Sequence, residues 1–347
     1  CGDGPDGQCE TQDTCDGAGA CVDNHEAVGT NCGAAGTECT NQDTCDATGG
    51  CTDNGFVGDG AACGSAADTD CTNPDTCLSG ACDPNDEASG TVCDDLVACT
   101  ANDECDGAGT CAGVALDSVD LTIDLQGVTE PTVDRCITLE LWDCPGAAGV
   151  PIATVDVTLT FTNGSFAGNV CIPSGTYSCI TARDKLHTLR RTLDAADGFA
   201  FVVDHYVADF VTVGKDLLGG NLNDSFWLDI FDFGIYVGQF NDVLGGDTTC
   251  AVAGPHADIS GDGTVFSEDF TFIQINFFQG HEANCCGATG ASWKGGPVAR
   301  VSVRELRRLG LHDMIAADLT EDGWVDEEDI AAFINGARPS PVRAVRP

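Results

Sequence analysis

Residues 93–111 read CDDLVACTANDECDGAGTC, four cysteines within one short stretch that holds a single leucine and a single valine. A segment this poor in large apolar side chains cannot close a core, so sulfur bridges must carry its stability. Working outward, the same frame recurs upstream as CETQDTCDGAGAC at 9–21, CTNQDTCDATGGC at 39–51 and CTNPDTCLSGAC at 71–82. Stacked at a period of about thirty residues, the cysteines form four units: Cys1, Cys9, Cys15, Cys21; Cys32, Cys39, Cys45, Cys51; Cys63, Cys71, Cys77, Cys82; and Cys93, Cys99, Cys105, Cys111. Residues 1–113 are therefore predicted to be a disulfide-rich, irregular repeat stalk.

These repeats resemble the Cys-rich CTxDxC repeats of slime-mould extracellular-matrix proteins, which also occur in bacterial surface proteins. The resemblance implies an extracellular structural role. Asp13, Asp43, Asp75 and Asp103 share one repeat position, two residues before the third cysteine. Asx-turns satisfying local amides are expected there in preference to calcium ligands.

The chain of 347 residues has 56 acidic and 14 basic side chains, a net charge of −42. The first basic residue is Arg135, so residues 1–134 offer no attraction to nucleic acid or to anionic lipid. Twenty-three cysteines point to an oxidising compartment, and hence to a secreted or cell-surface location. Zinc is disfavoured, since the repeats space their cysteines by five or more and contain only His25. No run of about 18 apolar residues occurs, and no membrane span is expected.

From 114 to 217 the pattern changes to period-two alternation in VDLTIDLQG, ITLELWDC and TVDVTLTFTNG, interrupted by Gly, Pro and Asn turns. That pattern predicts an antiparallel β-sandwich. Asn163-Gly164-Ser165 is expected to be a hairpin turn. Cys136, Cys144, Cys171 and Cys179 are expected to form two bridges, leaving Cys250, Cys285 and Cys286 as an odd set from which one could bridge to another chain. His187 and His205 are expected to fill strand positions.

Residues 218–347 carry the chemistry. Oxygen donors at positions 1, 3, 5, 7, 9 and 12 of a twelve-residue turn entering a helix suit Ca2+. DLTEDGWVDEED offers Asp318, Thr320, Asp322, the Trp324 carbonyl, Asp326 and Asp329. DISGDGTVFSED offers Asp258, Ser260, Asp262, the Thr264 carbonyl and Asp269, with Phe266 at position 9 supplying no side-chain oxygen. NLNDSFWLDIFD offers Asn221, Asn223, Ser225, the Trp227 carbonyl, Asp229 and Asp232, with Phe226 where glycine is expected.

The Asp at position 12 of all three and the offset of 37 residues between the loops at 221 and 258 look like dockerin. The surrounding stretches resemble C-terminal modules of large secreted proteins of planctomycete-type bacteria. That resemblance implies a helical, EF-hand-like calcium module for protein association. The third loop lies 60 residues after the second, which departs from a two-loop cohesin-binding dockerin. Apolar stripes of Phe231, Ile235, Val237, Phe240 and of Phe270, Ile273, Ile275, Phe278 are expected to face a core.

No nucleophile elbow, zinc-protease helix, phosphate loop or nicotinamide fingerprint occurs, and no enzymatic activity is expected. Seven of the fourteen basic residues follow Pro297, namely Arg300, Arg304, Arg307, Arg308, Arg338, Arg343 and Arg346. An acidic end and a partly basic end predict head-to-tail self-association into a fibre, matrix or surface layer. The alternative is a carbohydrate- or protein-binding adaptor, for which Trp142, Phe161, Phe166 and Tyr177 would have to be exposed in a row.

Overall fold

The computed structural model describes residues 4, 7–144, 150–287 and 295–339. The chain divides into two compact units, 1–115 and 116–347. It is mostly β, with four α-helices among the described residues.

The first unit is a series of four hairpins: β1 (Glu10–Cys15) with β2 (Cys21–His25), β3 (Thr44–Cys45) with β4 (Cys51–Thr52), β5 (Thr76–Leu78) with β6 (Ala81–Asp83), and β7 (Thr100–Cys105) with β8 (Cys111–Ala115). The bridges follow two rules. Within a repeat the first cysteine joins the fourth, as in Cys32–Cys51, Cys63–Cys82 and Cys93–Cys111. Between repeats the second joins the third of the next, as in Cys9–Cys45, Cys39–Cys77 and Cys71–Cys105. The buried apolar clusters of this unit are made mainly of those cysteines, one being Cys39, Cys63 and Cys77 packed with Val57 and Ala61.

The aspartates two residues before the third cysteine do not make Asx-turns. Asp13 and Asp43 accept the amides of Asn24 and Asn54 across their hairpins, and Asp75 accepts that of Ser65. The Asx-turns belong instead to Asp16, Asp46 and Asp106, each of which takes the amides two and four residues on. The hairpin tips are glycine-rich, and a side chain that ties down two tip amides fixes their turns.

The second unit contains β9 (Asp117–Asp124), β10 (Thr132–Trp142), β11 (Ala153–Thr162), β12 (Ser165–Ile172), β13 (Cys179–Asp184), β14 (Arg191–Asp194), β15 (Ala200–Val202) and β16 (His205–Asp209) in one nearly closed sheet ordered β14-β13-β10-β11-β12-β9-β16-β15. β9 and β16 run parallel; the other pairs are antiparallel. β11 and β12 pair only at Thr162↔Ser165, around the expected turn at Asn163-Gly164. The sheet therefore has two four-stranded halves, and inward residues of both, including Leu121, Ile123, Leu139, Leu141, Phe161 and Ile172, form one core.

A second core is built by α1 (Ile230–Gly238), α2 (Ser267–Ile275), α3 (Val303–Leu309) and α4 (Glu327–Ile334). Its centre is aromatic: Phe270 and Phe333 lie 5.1 Å apart, and Tyr236 lies 5.4 Å from Phe333 and 5.5 Å from Phe270. Of the expected stripes, Ile235, Val237, Phe270 and Ile273 are buried, whereas Ile275 and Phe278 are exposed. Phe233 and Tyr236, which the stripes omit, carry the inner face of α1.

Three bridges correct the expected cysteine pairing. Cys136 joins Cys250, Cys144 joins Cys286 and Cys179 joins Cys285, so sheet cysteines pair with the three late ones and none of the latter is left over. The expected pairing counted cysteines within one segment; the fold instead lays the loop after α2 against β13 and β14, where Glu282 takes the Thr192 amide. His205 does sit in β16, but His187 occupies a buried turn after β13.

Candidate metal-binding loops

The three twelve-residue stretches fold alike. Their helices α1, α2 and α4 each begin at position 10, on Ile230, Ser267 and Glu327. Position 9 is the N-cap, and one oxygen of the position-12 carboxylate takes its amide: Asp232 from Asp229, Asp269 from Phe266 and Asp329 from Asp326. The other oxygen reaches back into the loop, taking the amides of Leu222, Ser260, and both Leu319 and Thr320. An Asp is short enough to serve the cap and the loop at once, and all three are fully buried.

Position 1 draws position 6 inward. Asp258 takes the Gly263 amide at 2.7 Å and Asp318 takes that of Gly323 at 3.1 Å. Both glycines have positive φ, 90° and 88°, which a side chain at that bend would strain. Position 5 then takes the amide of position 7, Asp262 from Thr264 and Asp322 from Trp324. In the first loop the bend lacks glycine, and Asn221 is left with a buried Oδ1 that has no hydrogen-bond partner. Asn223 still accepts the Ser225 amide, while the Ser225 hydroxyl donates to the Trp227 carbonyl.

The residues fit a hard cation in donor chemistry, being oxygens throughout. The unpartnered Asn221 Oδ1 stands at the first donor position of its loop. Burial pushes the Asp232 carboxyl up to about 8 and that of Asp269 up to about 6, against the backbone amides that favour their ionised forms. Burial also raises Asp229 and Asp318.

Among the described residues, the acidic trio with oxygens within 4.8 Å of one another is Asp94, Asp95 and Asp103, in the fourth repeat and outside all three loops. Asp103 stands at the recurring repeat position, whereas Asp94 and Asp95 do not. Asp95 is already engaged by the amides of Val97 and Gly113 and by the Thr100 hydroxyl. The cysteine trios that lie equally close are members of neighbouring disulfides, such as Cys9–Cys45 beside Cys32–Cys51.

Backbone pairing relates the first two loops reciprocally. After α1, Asn241 donates to and Asp242 accepts from Val265, at position 8 of the second loop. After α2, Phe278 donates to and Gln279 accepts from Leu228, at position 8 of the first. Every residue in one pairing lies 37 positions from its counterpart in the other, an internal two-fold relation. The third loop stands apart: its position 8, Val325 in β18 (Trp324–Val325), pairs with Val301 in β17 (Val301–Ser302), directly before α3.

The sheet also holds the loops. Arg183 of β13 lies 2.9 Å from Asp224 at position 4 of the first loop. Arg135 of β10 is wholly buried and donates to the carbonyls of Asp258 and Ile259 at 3.2 Å each. It also meets Thr248 and His187. His187 is paired with Asp184 at 2.7 Å. Burial works to raise Asp184, but His187 and Arg135 hold it below the usual carboxylate range; burial and Arg135 depress His187. In the period-two pattern of β10, Arg135 shares the inward face with Val133, Ile137, Leu139 and Leu141, a position where a guanidinium requires buried partners.

The aromatics required for a sugar-binding row are not on the surface. Trp142, Phe161 and Tyr177 are buried and Phe166 packs against the core. Compared with protein-family models, curated proteins and solved structures, the chain gives no match.

Proposed function

We propose that this chain is a non-enzymatic structural protein, secreted or displayed at the cell surface. Disulfides stabilise its repeats and Ca2+ its loop–helix module, and it self-assembles into a fibre, matrix or layer. The carrying observation is the threefold recurrence of one loop frame, with oxygen donors at positions 1, 3, 5 and 7 and a buried Asp at position 12. We read the two halves of the sheet as a β-sandwich and the loop–helix units as dockerin-like and EF-hand-like. Bound Ca2+ would supply the positive charge that clustered loop oxygens lack.

Assembly is proposed from charge. Residues 1–112 hold 23 acidic and no basic side chains, whereas Arg300, Arg304, Arg307 and Arg308 gather on and before α3. Arg304, Arg307 and Arg308 are exposed. Oppositely charged segments of different copies would therefore attract, and a heterologous contact that does not close propagates. Cys1, Arg343 and Arg346 lie outside the described residues. With Cys250, Cys285 and Cys286 paired internally, the contact proposed is non-covalent.

Electron microscopy of the native protein with and without calcium, beside a non-reducing gel, tests this reading. Regular fibres or sheets that calcium promotes and salt disperses are expected; monodisperse monomers in every condition would remove it. The adaptor reading has lost its aromatic row, and binding of the 116–347 unit to a glycan array would restore it.

A further inference from the structure

The loops differ in what surrounds them. In the second loop Asp258, Ser260 and Asp269 are fully buried, whereas in the third Thr320 and Asp322 are exposed and Asp318 half-buried. Three successive carbonyls of the second loop accept hydrogen bonds from the sheet region: Asp258 and Ile259 from Arg135, and Ser260 from the Thr129 amide. The contact is close, for a Cβ added to Gly261 would lie 3.2 Å from Arg135 Nη2. Among the described residues, no Lys or Arg donates to an oxygen of 318–329. Arg300 lies over the Trp324 ring at 3.8 Å.

Resting on the calcium reading of these loops, we infer that Arg135 is a built-in cation for the loop at 258–269. It lets that loop keep its form without a divalent ion, and the loop at 318–329, which has no such partner, is the one whose form depends on the ion. The physical reason is direct. Carboxylates gathered in a low-dielectric pocket repel one another until a cation offsets them. A guanidinium fixed by Thr248 and His187 and hydrogen-bonded to the loop's own carbonyls supplies that charge permanently, and its planar fork reaches two adjacent carbonyls as an ammonium would not. Arg135 is thus a positioning residue, not a ligand.

Hydrogen exchange on the full chain, in EDTA and in calcium, separates the loops. In wild type the amides of Ser260, Gly261 and Gly263 should exchange slowly in both conditions, while those of Thr320, Asp322 and Gly323 should speed up by about tenfold or more in EDTA. In Arg135→Met, the 258–269 amides should speed up by a comparable factor in EDTA and slow again in calcium, a rescue that loss of packing alone would not show. Equal opening of both loops in wild-type EDTA samples would overturn the inference without any variant, as would an Arg135→Met loop that stays closed or that calcium fails to restore. Failure of the calcium reading looks different: calcium would leave 318–329 unchanged in the wild-type chain, a comparison in which Arg135 plays no part.

Discussion

Removing one inter-repeat bridge should cut the first unit in two. Among the described bridges, only Cys39–Cys77 spans residues 52–62; Cys9–Cys45 and Cys32–Cys51 end before that stretch, and Cys63–Cys82 and Cys71–Cys105 begin after it. The perturbation is the double substitution Cys39→Ala and Cys77→Ala. The sequence separation is 38, for which loop-closure entropy gives about 4 kcal/mol. The local core holds little besides these sulfurs, Val57 and Ala61, so no apolar reserve offsets the loss. Phe56, exposed but with its ring against Gly80, provides the reporter. Chymotrypsin should cleave after Phe56 slowly in wild type, and the fragments should stay linked on a non-reducing gel. In the double variant cleavage should accelerate by up to about a thousandfold, the ratio corresponding to 4 kcal/mol, and the fragments should separate without reductant. Melting of the 116–347 unit should not move. Fragments that remain linked in the variant would refute the bridge pattern; an unchanged cleavage rate would refute the claim that the bridge carries local stability.

Other perturbations act on the second unit. With calcium at about a hundredfold over its dissociation constant, each site that binds only the folded chain contributes about 2.7 kcal/mol, so EDTA should lower its melting temperature by several degrees in calorimetry, and an unchanged curve counts against calcium. Asp329→Ala removes the acceptor for the Leu319, Thr320 and Asp326 amides, and should destabilise by about 2–4 kcal/mol and abolish terbium luminescence excited through Trp324. Leu139→Ala, in the sheet core, should cost about 2–5 kcal/mol by urea titration. Burial, with Arg190 and Arg183, lowers His281 to about 3, and its Nδ1 accepts the Arg190 amide. The unfolded chain therefore binds this proton first, so stability from His281 is present above the unfolded value near 6.5 and falls as pH drops toward 3. The loss should approach about 3 kcal/mol between pH 7 and pH 4, and His281→Gln should flatten that slope.

What could be read from the sequence followed from local rules. Four repeats, a β region and three loop–helix boundaries all depend on spacing along the chain, and Asp at position 12 caps each helix as that spacing requires. Pairings between distant segments were not legible. Cysteine counting kept Cys136 and Cys179 with their neighbours because nothing in the segment reveals that β10 and β13 meet the loops at 248–250 and 282–286. Arg135 falls in step with the core residues Val133, Ile137 and Leu139, so the alternation places it inward, but nothing local shows that the second loop supplies its partners. The Phe161 ring points into the core, whereas Trp142, next to the core residue Leu141, faces the other way and is covered by Cys179 and Cys285; period-two patterning alone does not say which face meets solvent when both are partly apolar.

The offset of 37 residues has a structural meaning that a count of loops misses. Because the segment after each of the first two helices supplies the strand partner of the other loop, neither loop can hold its position-8 pairing if the other helix is displaced. The two behave as one cooperative element, which Arg183 and Arg135 tie to the sheet from two strands. The third loop pairs with Val301 and Ser302 just ahead of α3, and its helix α4 meets the others chiefly through Phe333, which lies among Phe233, Tyr236, Phe240 and Phe270. Two loops fastened to the sheet, and one with more exposed donors paired to residues 301–302, is an arrangement in which, on the calcium reading proposed above, a divalent ion would alter the outer part of the module while the part bonded to the sheet stays in place.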